Sequence, residues 1–485
     1  MSVKDEFERV KFWDFDGALI ADYSLEEAQA LEYLPSVPKH PGLEFQGWNW
    51  RLGEVRNVDH GIDVGAVYSP VGGDTQLKIV IDEGQETVPI FLSLPTRPTR
   101  YNNIRIDWGD GARSWIKEDD FEQFYNEDYL GSATHTYRCP TYPMEYTIRI
   151  NTDDGTNFYL GAASSYTGGF WAFNAHVKPL FNQSMTTRNG SLLRAVHFGV
   201  NGGFSYHSIV HQQTVLMGCC LCEAITFPEY NEIVRIELDN AEMQLPLKSV
   251  IYPRSTMDRP SGVGFTGICV RQSFYTSPQY NACPKAVLSL PSAQPEAYYD
   301  FSWNIVRICS SPFGRIVMPR AVRGDTASFY SCSHNTELEY LWIGDGWKMP
   351  QNVSDAFAYC PNLKAVRLPP TTTAICPYGF RNDYALQRMN LVDTRVATIG
   401  NYAFLGCISL SQVRFPKTLR SIGANAFDGC QNCRLYDFRE AEQIPTATDT
   451  SFLGIAGGVR ILVPLALYAE WREAWPTWAD YIVGG

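Results

Sequence analysis

The sequence predicts a mostly β, modular chain: a small α+β unit, a β-sandwich, and then a solenoid with a C-terminal helical cap. The strongest observation is a repeat with intervals of 23 or 24 residues, marked by Phe357, Phe380, Phe404 and Phe427. A fixed period in this range is typical of stacked units that cannot bury their apolar faces alone. Short alternating apolar stretches before the array indicate a sandwich. A helix start signal followed by prolines indicates a small mixed unit at the N terminus.

The length and net charge of the chain exclude some classes of function. The 485 residues are enough for several domains, and the net charge of −12 opposes binding to nucleic acid or to anionic lipid. The first residues lack the apolar stretch of a secretory signal, and no apolar run reaches the roughly 18 residues that span a bilayer. We therefore expect a chain that is made in a cytoplasm and stays there or leaves inside a larger particle, with no membrane insertion.

The composition divides the chain into four segments. These are residues 1–64 (the α+β unit), 65–155 (the sandwich), 156–190, and 191–485 (the solenoid with its cap). The third segment is rich in Gly, Ser and aromatic residues. The sequence leaves open whether it is a linker, a long loop or an irregular first cap.

In the N-terminal unit, two strands flank a turn at Asp16-Gly17. Ser24 and Glu27 then form a capping box for a short helix. In the sandwich, the alternating stretches at residues 77–81 and 88–94 predict a hairpin across the turn at residues 82–84. Further strands are expected near residues 104–107 and 146–150.

The solenoid segment repeats a short strand written apolar-x-apolar-Pro, as in residues 366–369 and 413–416. Cys360, Cys407 and Cys430 share one repeat position, which Asp383 fills in the remaining turn, so we expect a small buried environment there. The spacing of four from Ile399 to Cys407 predicts a helical turn behind each strand.

At the end of the array, an amphipathic helix is expected to cover the last apolar layer. Its apolar face is predicted to consist of Leu467, Trp471 and Trp475, with Trp478 and Tyr481 beyond it.

Three patterns could carry chemistry, and each has a simpler explanation. Residues 14–17, Asp-Phe-Asp-Gly, mimic the loop of haloacid-dehalogenase phosphatases, but the segments that this fold needs afterwards are missing, so a hairpin turn is favoured. Asp82, Asp107 and Asp110 could serve calcium, yet Asp-Gly pairs are common turn formers. Residues 219–222 contain three cysteines without zinc spacing. We expect no catalytic residues, no metal and no cofactor.

One binding surface follows from strand geometry. The residue between the two inward markers of each repeat strand faces outward. This outward stripe reads Thr226, Ile251, Ser289, Val317, Trp342, Arg367, Asn390, Arg414, Asp437 and Leu462. Trp342, Arg367, Asn390 and Arg414 combine an aromatic plate with hydrogen-bond donors, and they are the predicted ligand or partner site. The alternative is an ordinary solvated sheet.

Three resemblances add to this interpretation. Residues 403–416, with the rhythm Ala-Phe-x-x-Cys-x-x-Leu-x-x-Val-x-Phe-Pro, resemble the leucine-rich repeats of BspA-type surface proteins. Residues 107–111, with 135–137 and 146–148, resemble a polycystic-kidney-disease (PKD)-like, Ig-like sandwich. Residues 12–50 resemble an internalin-type B-repeat of the Listeria–Bacteroides kind.

All three families imply binding and not catalysis, and they are common in bacterial adhesins and in phage tail or head fibres. We therefore predict a non-catalytic bacteriophage virion structural protein, a fibre or decoration protein for adhesion or assembly. A bacterial cell-surface BspA-like adhesin is the alternative. The expected partners are other virion proteins and a host surface glycan or protein. A homo-oligomer built on a long β edge is compatible with the pattern. Head or tail location stays open.

Overall fold

The structure is a computed structural model of the chain. It describes residues 8–124, 128–163, 177–178, 180–181, 192–204, 222–229, 237–240, 248–254, 269–272, 286–292, 305–309, 313–320, 328–350, 353–454 and 457–485. Most of the third predicted segment, residues 156–190, lies outside these ranges. So do Cys219 and Cys220, two of the three clustered cysteines. The chain forms two compact units. The N-terminal unit comprises Arg9–Phe265 and Cys269–Ser292, and the C-terminal unit comprises Met1–Glu8, Thr266–Ile268 and Ala293–Gly485.

The N-terminal unit begins with a small α+β module. Its elements are β1 (Arg9–Trp13), β2 (Leu19–Ser24), α1 (Leu25–Gln29), β3 (Leu43–Trp48), α2 (Leu52–Val55) and β4 (Asp63–Pro70). The sheet order is β2-β1-β4-β3, with β1 and β4 parallel. The predicted capping box of Ser24 and Glu27 is present at α1. β4 is buried along its length and crosses the boundary predicted at residue 64.

The sandwich follows, with two sheets. Its strands are β5 (Thr75–Ile81), β6 (Thr87–Leu94), β7 (Ile104–Asp107), β8 (Arg113–Ile116), β9 (Glu122–Phe124), β10 (Asp128–Thr136), β11 (Met144–Thr152) and β12 (Phe158–Leu160). Two short strands, β13 (Ala162–Ala163) and β14 (Val177–Lys178), form a separate antiparallel pair. The predicted hairpin between β5 and β6 is wrong. β5 pairs with β11 in one sheet and β6 pairs with β10 in the other, so their turn crosses between the sheets.

Both sheets of the sandwich continue into strands that come later in the chain. These are β15 (Leu193–His197), β16 (Gly202–Phe204), β17 (Ala224–Thr226), β19 (Ser249–Ile251) and β21 (Val287–Ser289). Two further strands, β18 (Glu237–Asn240) and β20 (Cys269–Gln272), pair in parallel in a separate sheet. β5 pairs antiparallel with β15, and β15, β17, β19 and β21 then follow in parallel order. β12 pairs with β6 and with β16. The sandwich therefore covers the open edge of the first parallel strands in both sheets.

The small module packs on the outward face of these parallel strands. Asn49 Nδ2 donates to Tyr252 O (3.0 Å) and to Ser289 Oγ (2.9 Å), while Asn49 Oδ1 accepts from Gly65 N (2.7 Å). Trp50 Nε1 donates to Leu290 O at 2.8 Å. These side chains are buried, so this face is an internal interface of the N-terminal unit.

The C-terminal unit is a ladder of short parallel strands. They are β22 (Ile305–Cys309), β23 (Arg315–Met318), β24 (Ser328–Ser331), β25 (Tyr340–Ile343), β26 (Ala365–Arg367), β27 (Ala374–Ile375), β28 (Arg388–Met389), β29 (Thr398–Ile399), β30 (Gln412–Arg414), β31 (Ser421–Ile422), β32 (Leu435–Asp437), β33 (Arg460–Val463) and β34 (Ile482–Gly484). Its sheets run β23-β25-β26-β28, β27-β29-β31 and β30-β32-β33-β34.

The repeating phenylalanines stack in a single file, as the period predicts. Neighbouring rings of Phe357, Phe380, Phe404, Phe427 and Phe452 have centroids 4.8, 5.4, 5.0 and 5.4 Å apart, and their planes differ by 8° or less. All five are buried. Each ring therefore fills the space between its neighbours. Phe452, the last member of this file, was not among the four phenylalanines predicted from the sequence.

The cysteine position is buried, as expected, and it joins neighbouring turns. Cys407 Sγ donates to Phe380 O (3.0 Å) and Cys430 Sγ donates to Phe404 O (3.3 Å). Burial raises the pKa of both thiols well above the ordinary value, which keeps the protons that these bonds need. Asp383, in the same position, accepts from Cys360 N at 2.8 Å, and burial raises the pKa of its carboxyl group.

The helical turn predicted from Ile399 to Cys407 is wrong. Tyr402 and Gly406 have φ values of 58° and 75°, which an α-helix excludes. The amides of Tyr402, Phe404 and Gly406 donate to the next turn of the ladder, as Phe404 N does to Ala426 O at 2.7 Å, whereas Ala403 N and Leu405 N donate within their own turn. The spacing of four between Ile399, Ala403 and Cys407 therefore comes from tight turns in the segment that joins β29 to β30.

The C-terminal cap is helical, as predicted. It contains α3 (Tyr468–Ala474), flanked by the 3-10 helices Leu465–Leu467 and Pro476–Tyr481. Trp471 and Trp475 lie 5.0 and 5.4 Å from the ring of Phe438, and Trp475 lies 5.6 Å from Phe452. β34 then adds a last parallel strand to β33. The cap thus covers the final apolar layer of the ladder.

We expect Phe404→Ala to lower the free energy of unfolding by about 3–5 kcal/mol, because it leaves a cavity between two stacked rings. The measurement is chemical denaturation followed by circular dichroism. Ile408→Ala, at an exposed position of the same turn, is the control and should change stability by no more than about 0.5 kcal/mol. Similar losses in the two variants would contradict the role of the file.

We expect Asn49→Ala to destabilise the N-terminal unit by about 2 kcal/mol or more, because it leaves buried partners without hydrogen bonds. Asn57→Ala is the matched control, since Asn57 is exposed and its side-chain amide donates to Gly53 O in the adjacent α2. Hydrogen exchange at β19 and β21 should increase in the first variant and stay unchanged in the second. Unchanged protection in both would show that the interface does not stabilise these strands.

Candidate functional site

The structure brings together two of the four predicted site residues. The Arg367 guanidinium carbon lies 4.8 Å from the ring centroid of Trp342, on paired positions of β25 and β26. Arg367 Nη1 donates to Ile343 O and to Asp345 Oδ1, both at 2.9 Å. The guanidinium is thus fixed over the indole by a cation–π contact, an ion pair and a backbone carbonyl.

The same strand carries a second aromatic residue that the sequence analysis missed. Tyr340 lies two positions before Trp342, and Lys364 Nζ lies 5.8 Å from its ring centroid. Lys364 also pairs with Glu339 at 2.6 Å. The signal was available, because residues two apart in a strand share a face. We call Tyr340, Trp342, Lys364 and Arg367 the aromatic–cation face.

Asn390 has a structural role that the prediction did not foresee. Its Oδ1 accepts from Leu368 N (2.7 Å) and its Nδ2 donates to Leu368 O (3.0 Å). The side chain thereby continues the hydrogen bonding of the sheet where β28 ends. One lone pair and one N–H of the amide are thus used within the sheet, and the place of Asn390 in a ligand site stays a prediction.

Arg414 lies in another sheet, within an ion-pair network. Its Nη2 contacts Glu440 at 3.0 Å and its Nε lies 3.7 Å from Asp437. Arg439 binds the same Asp437 carboxylate through two nitrogens, at 2.9 and 2.8 Å. The hydrogen bonds from Arg439 lower the pKa of Asp437. The outward face of β30 and β32 is therefore dominated by internal charge pairs.

The outward stripe is not continuous in its exposure. Thr226, Ile251 and Ser289 are 5%, 6% and 0% exposed, because the small module packs over this face of the N-terminal unit. An added Cβ on Gly65 would overlap the Ile251 side chain, which shows how closely the two approach. The expectation of a solvent-facing stripe is wrong for these three positions, and also for Val317 and Asp437, which are 7% and 4% exposed.

The patterns weighed for chemistry have structural roles. Asp14 is buried; its Oδ1 accepts from Phe15 N and its Oδ2 lies 2.8 Å from His40 Nε2. Asp16 Oδ1 accepts from Ala18 N in the turn between β1 and β2, so the hairpin interpretation describes this loop.

The possible calcium loop also contains side chains that serve its turns. Asp110 Oδ1 accepts from Ala112 N, and its Oδ2 lies 2.7 Å from His135. Among the described residues no group of three or more His, Cys, Asp or Glu is arranged to hold a metal ion. The expectations of no enzyme, no metal and no cofactor stay predictions.

A comparison with protein families agrees with the ladder. Residues 351–454 match the family model of the BspA type leucine rich repeat region, in six copies. A leucine-rich repeat protein from Bacteroides ovatus is a similar solved structure, with 13% identity over 67% of this chain and 97% of that one, at a TM-score of 0.29. Among curated proteins, none is similar enough to count as a relative. Within the described ranges, no helix is long and apolar enough to cross a membrane.

We expect Asn390→Ala to lower stability by about 1–2 kcal/mol, because it removes two hydrogen bonds to the Leu368 backbone. Arg388→Gln, at an exposed neighbouring position, is the control and should be nearly neutral. Thermal denaturation of both variants measures the difference. If Asn390→Ala leaves the melting temperature unchanged but weakens binding to a partner, Asn390 acts in ligand binding and not in stability.

Proposed function

We propose that this chain is a non-catalytic binding protein that attaches to a saccharide or protein surface through the aromatic–cation face. The observation that supports this most directly is the pair Trp342 and Arg367. Their contact places an apolar plate and charged hydrogen-bond donors side by side on the outward face of a regular sheet. Aromatic residues and arginine are enriched where proteins bind partners.

The geometry of the pair favours binding because the side chains are already ordered. Arg367 is held by Asp345 and by Ile343 O, so little side-chain entropy remains to be lost on association. Within the described residues, neither Nε nor Nη2 of Arg367 has a hydrogen-bond acceptor, and these donors can serve a ligand. The repeat below them supplies a rigid support, since its phenylalanines are closely stacked.

We propose a bacteriophage virion as the setting, where the chain acts as a tail or head fibre or as a decoration protein. The support is the combination of modules that the sequence resembles, which is common in such fibres. In this setting the partners are other virion proteins and a host surface glycan or protein.

A bacterial cell-surface adhesin is the second candidate, and the match of residues 351–454 to the BspA type repeats favours it. Mass spectrometry separates the two settings. Peptides of this chain in purified phage particles support the virion role, whereas peptides only in the surface fraction of a bacterium support the adhesin.

We expect the double variant Trp342→Ala with Arg367→Ala to reduce attachment at least tenfold with little change in melting temperature, because it removes outward side chains and no core residue. The measurement is binding of the labelled full-length protein to cells of the bacterium that carries the gene or supports the phage. Trp115→Ala, an exposed tryptophan in β8, is the control.

Two results would contradict this proposal. Equal attachment by the double variant and the wild type would remove the aromatic–cation face as the binding site. Equal loss in Trp115→Ala and in the double variant would indicate nonspecific adhesion through exposed aromatic residues.

A further inference from the structure

A second cluster of aromatic and cationic side chains lies on the turns of the C-terminal ladder, away from the strands of the aromatic–cation face. The Arg381 guanidinium carbon lies 4.8 Å from the ring centroid of Tyr359 and 5.2 Å from that of Tyr378. Tyr378 stacks on Tyr402, with centroids 4.9 Å apart and planes within 4°. Tyr359 stacks on His334 at 4.7 Å. We call these five residues the tyrosine–arginine cluster.

Arg381 differs from the arginines of the outward sheet face. Arg367, Arg414 and Arg439 each pair with a carboxylate. Arg381 is partly buried between two phenol rings, yet in the described part of the chain no carboxylate or carbonyl accepts from its guanidinium. The faces of its planar guanidinium contact the two tyrosine rings, so the N–H groups along its edge can donate to a ligand. Such a fork suits a planar anion.

The backbone beneath the cluster is strained at the tyrosines. Tyr359, Tyr378 and Tyr402 have φ values of 61°, 56° and 58°, in the left-handed region that costs a bulky residue about 1 kcal/mol or more. Later turns place Gly406 and Gly429 where Tyr359 stands, at φ values of 75° and 73°. The fold therefore accepts glycine at this position and does not require a tyrosine. Asp355, Asn382 and Asn425 are left-handed too, so this backbone recurs along the ladder. A bulky tyrosine costs more there than Asp or Asn, and three of them in one patch point to a function.

The neighbouring charges limit which anions can bind. Asp355 is close enough to His334 to raise the pKa of its imidazole, although burial has the larger effect and lowers it overall. His334 is therefore mostly neutral near pH 7, which leaves Arg381 as the cation of the cluster. With a chain net charge of −12, a densely charged polyanion is repelled. A single carboxylate among uncharged groups suits this environment better.

We propose that the tyrosine–arginine cluster binds the carboxylate of an acidic saccharide. The two carboxylate oxygens accept from the Arg381 fork. The hydroxyls of Tyr359, Tyr378 and Tyr402, which have no hydrogen-bond partner among the described residues, contact hydroxyls of the sugar. An acidic peptide fits less well, because its several carboxylates would need more cations than the cluster offers. This site is separate from the aromatic–cation face, so either can fail without the other.

The test compares an oligosaccharide with its own neutral form. The probe is 3′-sialyllactose, a trisaccharide with a single carboxylate. The acid and its methyl ester share the same rings and differ in charge, and saturation-transfer NMR with titration measures their binding to the full-length protein. We expect the acid to bind and the ester to bind at least tenfold more weakly, as loss of a charge-assisted hydrogen-bond pair implies. This comparison needs no variant and is independent of folding.

Variants then assign the effect to Arg381. Arg381→Gln should weaken binding of the acid at least tenfold, and Arg381→Lys should restore part of it because the charge returns without the planar fork. Arg395→Gln, at an exposed position, removes the same charge elsewhere and should have no effect. The proposal is overturned if the ester binds as well as the acid, if Arg381→Gln binds normally, if triglutamate binds as tightly, or if the acid shows no saturation transfer at millimolar concentration.

Discussion

A short parallel strand cannot bury its apolar face without a neighbour, and the rest of this structure depends on that constraint. In the C-terminal unit the constraint is met along the chain axis, where each phenylalanine fills the space between the rings before and after it. The last ring of such a file needs a cover, and Trp475 and Trp478 provide it for Phe452. In the N-terminal unit the first parallel strand, β15, is covered by strand β5 of the sandwich. The two units thus solve the same problem with different elements, a helix rich in tryptophan and a sheet.

The outward face of the parallel strands has different surroundings in different parts of the chain. In the N-terminal unit the small module covers it, with Asn49 and Trp50 bonded to the strand ends. Around β30 and β32 charged side chains neutralise one another through Asp437. Around β25 and β26, aromatic rings lie beneath fixed cations. A regular backbone therefore carries an interface, an ion-pair network and a candidate binding face in turn, because the outward side chains do not affect the inward stacking.

The turns opposite the strands show a similar freedom. Their left-handed positions accept Gly406 and Gly429 in some repeats and Tyr359 or Asn382 in others. Hydrogen bonds from each turn to the next, such as Phe404 N to Ala426 O, maintain the backbone whatever the side chain. These positions can therefore acquire recognition residues at the cost of modest local strain, while the buried file stays unchanged.

The sequence by itself determined the repeat, the inward file of phenylalanines, the buried cysteine position, the capping box and the helical end. Each of these is local or periodic, so neighbouring residues along the chain contain the information. It did not determine that β5 and β6 belong to different sheets, that β5 pairs with β15, or that the small module covers Thr226, Ile251 and Ser289. Those outcomes depend on pairing between distant segments, which alternation alone cannot specify.

The same limit explains the candidate sites. Trp342 and Arg367 could be paired from the period because their strands are neighbours in register. The bonding of Asn390 to Leu368 and the stacking of Arg381 between Tyr359 and Tyr378 required coordinates, since side-chain direction at a strand end or a left-handed turn is set by tertiary geometry.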